Sequence, residues 1–143
     1  MILPDTKIQD LARAGMITPF TERLVKEDGG RRVVSYGLSS YGYDIRLSPK
    51  EFKVFTPLGF EVDPKNFDPR NLHAAELLED GSGKYFRIPP HSYGLGVAME
   101  RLAVPENIMV LCIGKSTYAR AGIIANMTPA ERRYPDTIRG SRK

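Results

Sequence analysis

The sequence predicts a mainly β fold, a sandwich or distorted barrel of short strands with an N-terminal helix. Three observations predict it. Short apolar runs recur along the chain at 41–48, 52–55, 85–88, 93–99, 108–113 and 123–128. Turn-forming clusters such as Pro89-Pro90 and Asp80-Gly81-Ser82-Gly83 separate them, as expected between strands. Helical spacing marks the N-terminus, where Ile8, Leu11 and Ala12 recur on one face. No internal repeat and no low-complexity tract interrupts this pattern.

Taken in order, Asp5 is placed to cap the first helix and Gly15 to stop it. Residues 21–37 include Lys26-Glu27-Asp28-Gly29-Gly30-Arg31-Arg32, a polar stretch that reads as an exposed loop. Over 41–48 the alternation sets Tyr41, Tyr43, Ile45 and Leu47 on one face and Gly42, Asp44, Arg46 and Ser48 on the other, a half-buried strand. Asp44 and Arg46 then read as a cross-strand charge pair between subunits in preference to substrate contacts. Residues 57–83 form a long connection containing Pro57, Gly59, Pro64 and Pro69, with room for a helical turn at 74–78.

Composition fits one globular domain: 143 residues, 41% hydrophobic and 27% charged. No apolar run approaches 18 residues and no charged-then-apolar leader opens the chain, so the expectation is a cytoplasmic protein away from membranes. Cys112 is the single cysteine and cannot form an internal disulfide. Its neighbours Val110, Leu111 and Ile113 predict a thiol in a buried strand. Residues 131–143 carry five Lys/Arg against Glu131 and Asp136, which is +3 of the net +4 and leaves +1 for the rest. A basic field confined to a short tail, with Tyr134 its one aromatic, is a weak footprint for nucleic acid.

The stretch that carries chemistry is Gly114-Lys115-Ser116-Thr117-Tyr118-Ala119-Arg120-Ala121-Gly122, set between two apolar runs. A strand ending in Gly and opening a short helical turn aims free N–H groups outward, and Lys115 and Arg120 add positive charge where an anion would sit. Gly-Lys-Ser suggests a P-loop, but that motif needs a Gly five residues before Gly114, and the residue there is Met109.

This turn resembles the signature of the deoxycytidine triphosphate (dCTP) deaminase family, the deaminating branch of the dUTPase-like superfamily. Three further stretches are similar to that family: Pro4-Asp5-Thr6-Lys7-Ile8 through Gly15-Met16-Ile17-Thr18-Pro19-Phe20; Ser39-Ser40-Tyr41-Gly42-Tyr43-Asp44-Ile45-Arg46-Leu47; and Ile123 through Glu131. The resemblance covers residues 1–131 and leaves 132–143 as a divergent basic tail. It implies a dUTPase-like β-clip, assembled as a homotrimer with active sites between subunits, acting on dCTP or a dUTP-type nucleotide.

Most cytosine deaminases activate water on zinc held by His and Cys. With His73 and His91 apart and one cysteine, this chain has no such array, and the family it resembles uses no zinc. Magnesium would enter only with the triphosphate, neutralising its charge. In the metal-free reaction a carboxylate takes a proton from water as it attacks C4 and returns it to the leaving amine, contributing roughly 10²–10⁴-fold in rate. By resemblance, Ser116 bonds the reacting centre and orients water, while Arg120, one turn later on the same face, pairs with that carboxylate. Lys115 and the N–H groups of 115–119, spanning Ser116, Thr117, Tyr118 and Ala119, would hold the phosphates, with Gly114 allowing close approach. Glu131 has a family equivalent near the nucleotide.

Each assignment has a competing structural reading. Ser116 could cap the short helix, Arg120 and Lys115 could be solvated surface cations, and Tyr118 could simply pack. The family's carboxylate is a Glu on a strand a few residues beyond the Thr128-Pro129 equivalent; here the sequence reads on from Arg132 and the matching position falls near Ser141 to Lys143. The expectation is a relative that is incomplete at its C-terminus, through shortening or a frameshift, and prone to poor folding because strand edges stay uncovered. Three functions therefore compete: a deaminase with its dUTPase and bifunctional variants, a module that grips a triphosphate without turnover, and a nucleic-acid-binding fragment.

Overall fold

In the computed structural model of this chain, residues 1–55 and 62–127 are described; Thr128, Glu131 and the 132–143 tail lie outside them. The described chain divides into two compact units, one running from Met1 to Arg46 and resuming at Ala98, the other spanning Leu47–Val97.

The first unit opens with helix α1 (Asp5–Arg13). Its cap is Pro4, not Asp5: the Pro4 carbonyl accepts from Lys7 (3.1 Å) and Ile8 (3.0 Å), the first bonds of the helix. Asp5 becomes the first helical residue, where its charge complements the helix N-terminus and Oδ1 accepts the Thr6 N–H at 2.7 Å. The helix stops where the sequence places the stop. Gly15 N–H donates to Ala12 O (2.9 Å) and Met16 N–H to Leu11 O (3.0 Å), the paired bonds of a Schellman ending. Ile8 and Ala12 bury against Met16 and Ile17, with Leu11, Phe20, Leu38, Tyr43, Leu102 and Ile108 packed around them.

Strand β1 (Ile17–Thr18) pairs antiparallel with β10 (Arg101–Leu102). Strands β2 (Val25–Asp28), β3 (Arg31–Ser39) and β4 (Gly42–Asp44) form an antiparallel meander. Most of the predicted 21–37 loop is therefore a hairpin. Gly29 and Gly30, at φ 55° and 77°, supply the two left-handed residues of a two-residue turn, and such a pair joins strands as readily as it marks a loop. In β3, Arg31 stands opposite Asp28 and Arg32 opposite Glu27, and all four side chains stay exposed, as the polar composition predicts.

The predicted strand over 41–48 is broken. Asp44 ends β4, and the Arg46 N–H is taken by Glu100 Oε2 at 2.8 Å instead of by a neighbouring strand. Of the predicted inward face, Tyr43 is packed, its ring 5.6 Å from Phe20 and its hydroxyl accepting the Thr21 N–H at 3.0 Å. Tyr41 and Leu47 are exposed. The strands predicted at 108–113 and 123–128 do not form among the described residues: Val110 makes one isolated bridge, and Met109, Leu111, Ile113 and Ile124 are exposed. Both runs have strand composition, but a strand also needs a neighbour to pair with. Cys112 is accordingly half-buried rather than in a buried strand.

In the second unit β5 (Leu47–Phe55) lies between β6 (Leu72–Ala74) and β9 (Tyr93–Ala98), and β7 (Leu77–Asp80) pairs with β8 (Gly83–Phe86). The helical turn predicted at 74–78 is absent. It sits earlier, as a 3₁₀ turn over Pro69–Asn71 whose N-cap Asp68 accepts the Arg70 N–H at 2.9 Å, since Asp followed by Pro is itself a helix-start signal. Phe52 and Val54 form the core here, with Phe52 stacked on Phe86 at 4.6 Å. Gly96 gives these side chains their space: a Cβ there would stand 2.2 Å from Leu47 Cδ1 and 2.9 Å from Phe52 Cδ2. Gly96→Ala is expected to lower stability by about 1–3 kcal/mol, the cost of overpacking, read as an earlier urea midpoint.

Among the described residues the strands form small two- and three-stranded sheets, none closed into a barrel. No described helix is long and apolar enough to cross a membrane.

Candidate functional site

The turn at 114–122 folds as a single helical turn, α2 (Ser116–Arg120), in the first unit. Lys115 is its cap residue in extended conformation, and no side chain caps the turn, so Ser116 is the first helical residue and does not serve as the cap. Gly122 N–H donates to Ala119 O (3.1 Å) and Ile123 N–H to Tyr118 O (2.9 Å), a second Schellman ending. It needs the left-handed conformation that Gly122 adopts at φ 73°.

This geometry divides the backbone donors expected to hold phosphate. The N–H groups of Tyr118 and Ala119 both donate to Lys115 O, at 3.0 and 3.1 Å, and are committed to the turn. Those of Ser116 and Thr117 precede the first intrahelical bond. Thr117 and Ala119 are exposed and Tyr118 is half-buried. At Gly114 a Cβ would lie 3.1 Å from the Ala125 carbonyl oxygen, so the missing side chain lets the segments on either side of the turn approach.

Ser116 and Arg120 share an exposed face, with Arg120 Nη2 3.5 Å from Ser116 Oγ, the i, i+4 relation the spacing predicts. Among the described residues Arg120 forms no ion pair. Its guanidinium is presented to solvent beside a hydroxyl.

Lys115 is placed differently. Its ammonium donates to Ser35 O (3.0 Å) and Ser35 Oγ (2.7 Å) and forms an ion pair with Asp44 Oδ2. All three ammonium protons therefore have acceptors on β3 and β4. Asp44 and Arg46 do not pair with each other. The break after Asp44 ends the alternation that put them on one face, and Arg46 instead donates from Nε to Glu100 Oε1 at 2.7 Å. The Glu100 side chain is fully buried, and the Arg46 guanidinium lies 4.7 Å over the Tyr36 ring. Burial acts to lower the Arg46 pKa, but the hydrogen bond and charge of Glu100 outweigh it and hold the guanidinium above its ordinary value. Partial burial pushes the Cys112 thiol up, away from the reactive thiolate.

Ser35 and Glu100 are the residues that sequence reasoning misses. Ser35 is hidden in the stretch read as a loop, where the β-rich run after Gly29-Gly30 is the available signal. A lone Glu beside Met99 and Arg101 gives none. The donors at the turn suit an anion: Ser116 and Arg120 offer N–H and O–H groups, and the neighbouring carboxylate, Asp44, is neutralised by Lys115.

Residues 2–135 match the profile of the dCTP deaminase-like family, a span that includes the whole of this turn. The chain belongs to that family. Proteins named dCTP deaminase are similar along most of it. That of Helicobacter hepaticus is 47% identical over 135 residues, covering 94% of this chain and 68% of the relative. That of Azotobacter vinelandii is 48% identical over 132 residues, covering 91% and 66%. That of Dechloromonas aromatica is 50% identical over 121 residues, covering 84% and 61%. The chain thus spans about two thirds or less of the length of these relatives. A mainly β chain with a short N-terminal helix agrees with the dUTPase-like fold of the family. Glu131 falls within the matched span but outside the described residues.

Proposed function

We propose that the 114–120 turn binds dCTP and that this chain carries the nucleotide-holding part of a zinc-independent dCTP deaminase, in which dCTP and water give dUTP and ammonia. The observation that carries the reading is the Ser116–Arg120 face: an arginine without an ion pair among the described residues, beside an exposed hydroxyl. It stands in a chain about half identical to proteins named dCTP deaminase. Ser116 orients the attacking water and Arg120 holds a carboxylate in its ionised form. The N–H groups of Ser116 and Thr117, with Gly114 behind them, face the phosphates. Magnesium arrives on the triphosphate and keeps most of its waters. In this reading the protein is a cytoplasmic homotrimer, and the exposed Met109, Leu111 and Ile113 support burial against another subunit.

A second reading, binding without turnover, is favoured by the same arginine, because no described carboxylate pairs with it. One experiment separates the readings: melting temperature with dCTP, dUTP or dCMP and magnesium, alongside ammonia and pyrophosphate release. Stabilisation by dCTP with ammonia release is expected of the deaminase, and then Glu131 or Asp136 supplies the base. Stabilisation without ammonia selects the binding module, and pyrophosphate release marks a dUTPase or bifunctional activity. No stabilisation by any triphosphate removes both readings.

A further inference from the structure

We infer that Asp44, with Ser35, is a positioning residue for the nucleotide turn, acting through Lys115, whose ammonium is an anchor and not a phosphate ligand. The inference rests on the nucleotide reading above for its functional consequence, but its structural part stands on contacts within the first unit.

Lys115 is the residue from which α2 starts. Its carbonyl accepts the N–H groups of Tyr118 and Ala119, and its ammonium is held at the other end by Ser35 O, Ser35 Oγ and Asp44 Oδ2. One residue thus joins the turn to the β3–β4 hairpin through both its main chain and its side chain. The hairpin end is itself fixed: Asp44 faces Gly37 across the ladder, and Ser35 Oγ lies 3.4 Å from Asp44 Oδ2. Lys115 and Asp44 side chains retain 22% and 32% exposure, so the pair is shielded enough to exceed an ordinary surface ion pair. A phosphate could recruit this ammonium only by displacing at least one of its three acceptors and bringing negative charge beside Asp44. The exposed Arg120 meets no such cost. A turn of five residues has little stability of its own, so its shape depends on such an anchor.

The two roles for Lys115 predict opposite signs for Asp44→Asn. If Asp44 merely restrained a phosphate-binding lysine, removing its charge would free the ammonium and tighten dCTP binding. If Lys115 is an anchor, the same change loosens the turn and weakens binding. The test measures amide hydrogen exchange of Tyr118 and Ala119 without nucleotide, and dCTP affinity by calorimetry, in the full chain and in Asp44→Asn, Asp44→Glu, Ser35→Ala and Lys115→Met. Amides of α1 serve as the folding control.

Expected are about tenfold or greater loss of protection at Tyr118 and Ala119 in Asp44→Asn and Lys115→Met with α1 unchanged, partial recovery in Asp44→Glu, and weaker dCTP binding in step. Lys115→Met with Asp44→Asn should be no worse than either alone. Unchanged protection at both amides overturns the inference whatever the nucleotide does, and so does tighter binding in Asp44→Asn. If the unsubstituted chain binds no triphosphate while the protection is still lost, the nucleotide reading fails and the anchoring of the turn stands. Should Asp44→Asn lose protection in α1 as well, Ser35→Ala decides the matter, since it removes one acceptor and leaves the ion pair: local loss at Tyr118 and Ala119 supports the anchor, and no loss overturns it.

Discussion

Glu100→Ala is expected to destabilise the first unit by about 3–5 kcal/mol, the cost of breaking a buried charge pair from one side. The Glu100 carboxylate, with no exposed side-chain surface, accepts both the Arg46 N–H at 2.8 Å and Arg46 Nε at 2.7 Å. Met99 N–H returns a bond to Arg46 O at 2.8 Å, so three hydrogen bonds tie the strand leaving β4 to the chain entering β10. Removing the carboxylate leaves a backbone donor and a partly buried guanidinium without an acceptor. Against a total stability of roughly 5–15 kcal/mol for a domain, that loss is a large fraction of the whole. Urea denaturation checks it, with two controls. Arg46→Met alone should cost at least as much as Glu100→Ala, because it leaves the fully buried Glu100 carboxylate without its cation. Arg46→Met with Glu100→Met should recover part of the loss, because replacing both charges with apolar groups removes the unpaired one. A fall below 1 kcal/mol for Glu100→Ala would show that water reaches Arg46.

Arg120→Met is expected to weaken dCTP binding by about 10–150-fold, which corresponds to losing roughly 1.5–3 kcal/mol of hydrogen bonding between charged groups. The fold should hardly respond. Arg120 is exposed, touches Ser116 Oγ at 3.5 Å and forms no ion pair among the described residues, so stability should stay within about 0.5 kcal/mol of the parent. Arg120→Lys should restore only part of the affinity, since an ammonium lacks the planar fork that grips two oxygens at once. Isothermal calorimetry with dCTP and magnesium reads the effect, and dCMP separates contacts to the phosphates from contacts to the base. Equal affinity and equal ammonia release in Arg120→Met and the parent would mean that this arginine is the solvated surface cation of the competing reading.

Much of the local structure was legible in the sequence because it is decided locally. Ile8, Leu11 and Ala12 give a helix, and Gly15 stops it with the bonds a left-handed residue permits. Ser116 and Arg120 fall on one face because an i, i+4 spacing leaves them no other arrangement on a helix. Elements that depend on a partner were misread. The stretch 26–32 is exposed as its charges predict, but it reads as a loop until Asp28 is set opposite Arg31 across a two-residue turn. The apolar run at 108–113 has strand composition, but pairing is a property of two segments, and only Val110 forms a bridge.

The sequence by itself determined the family, the β-rich class and the turn that presents Ser116 and Arg120, since each rests on residue types at fixed short spacing. Only the tertiary structure decided the charge partners. Lys115 went to Asp44, 71 residues away, and Arg46 to Glu100, 54 residues away, and no spacing rule operates over such distances. A buried or half-buried charge pairs with whichever opposite charge the folded backbone brings within reach, because leaving it unpaired costs more than any local preference can return.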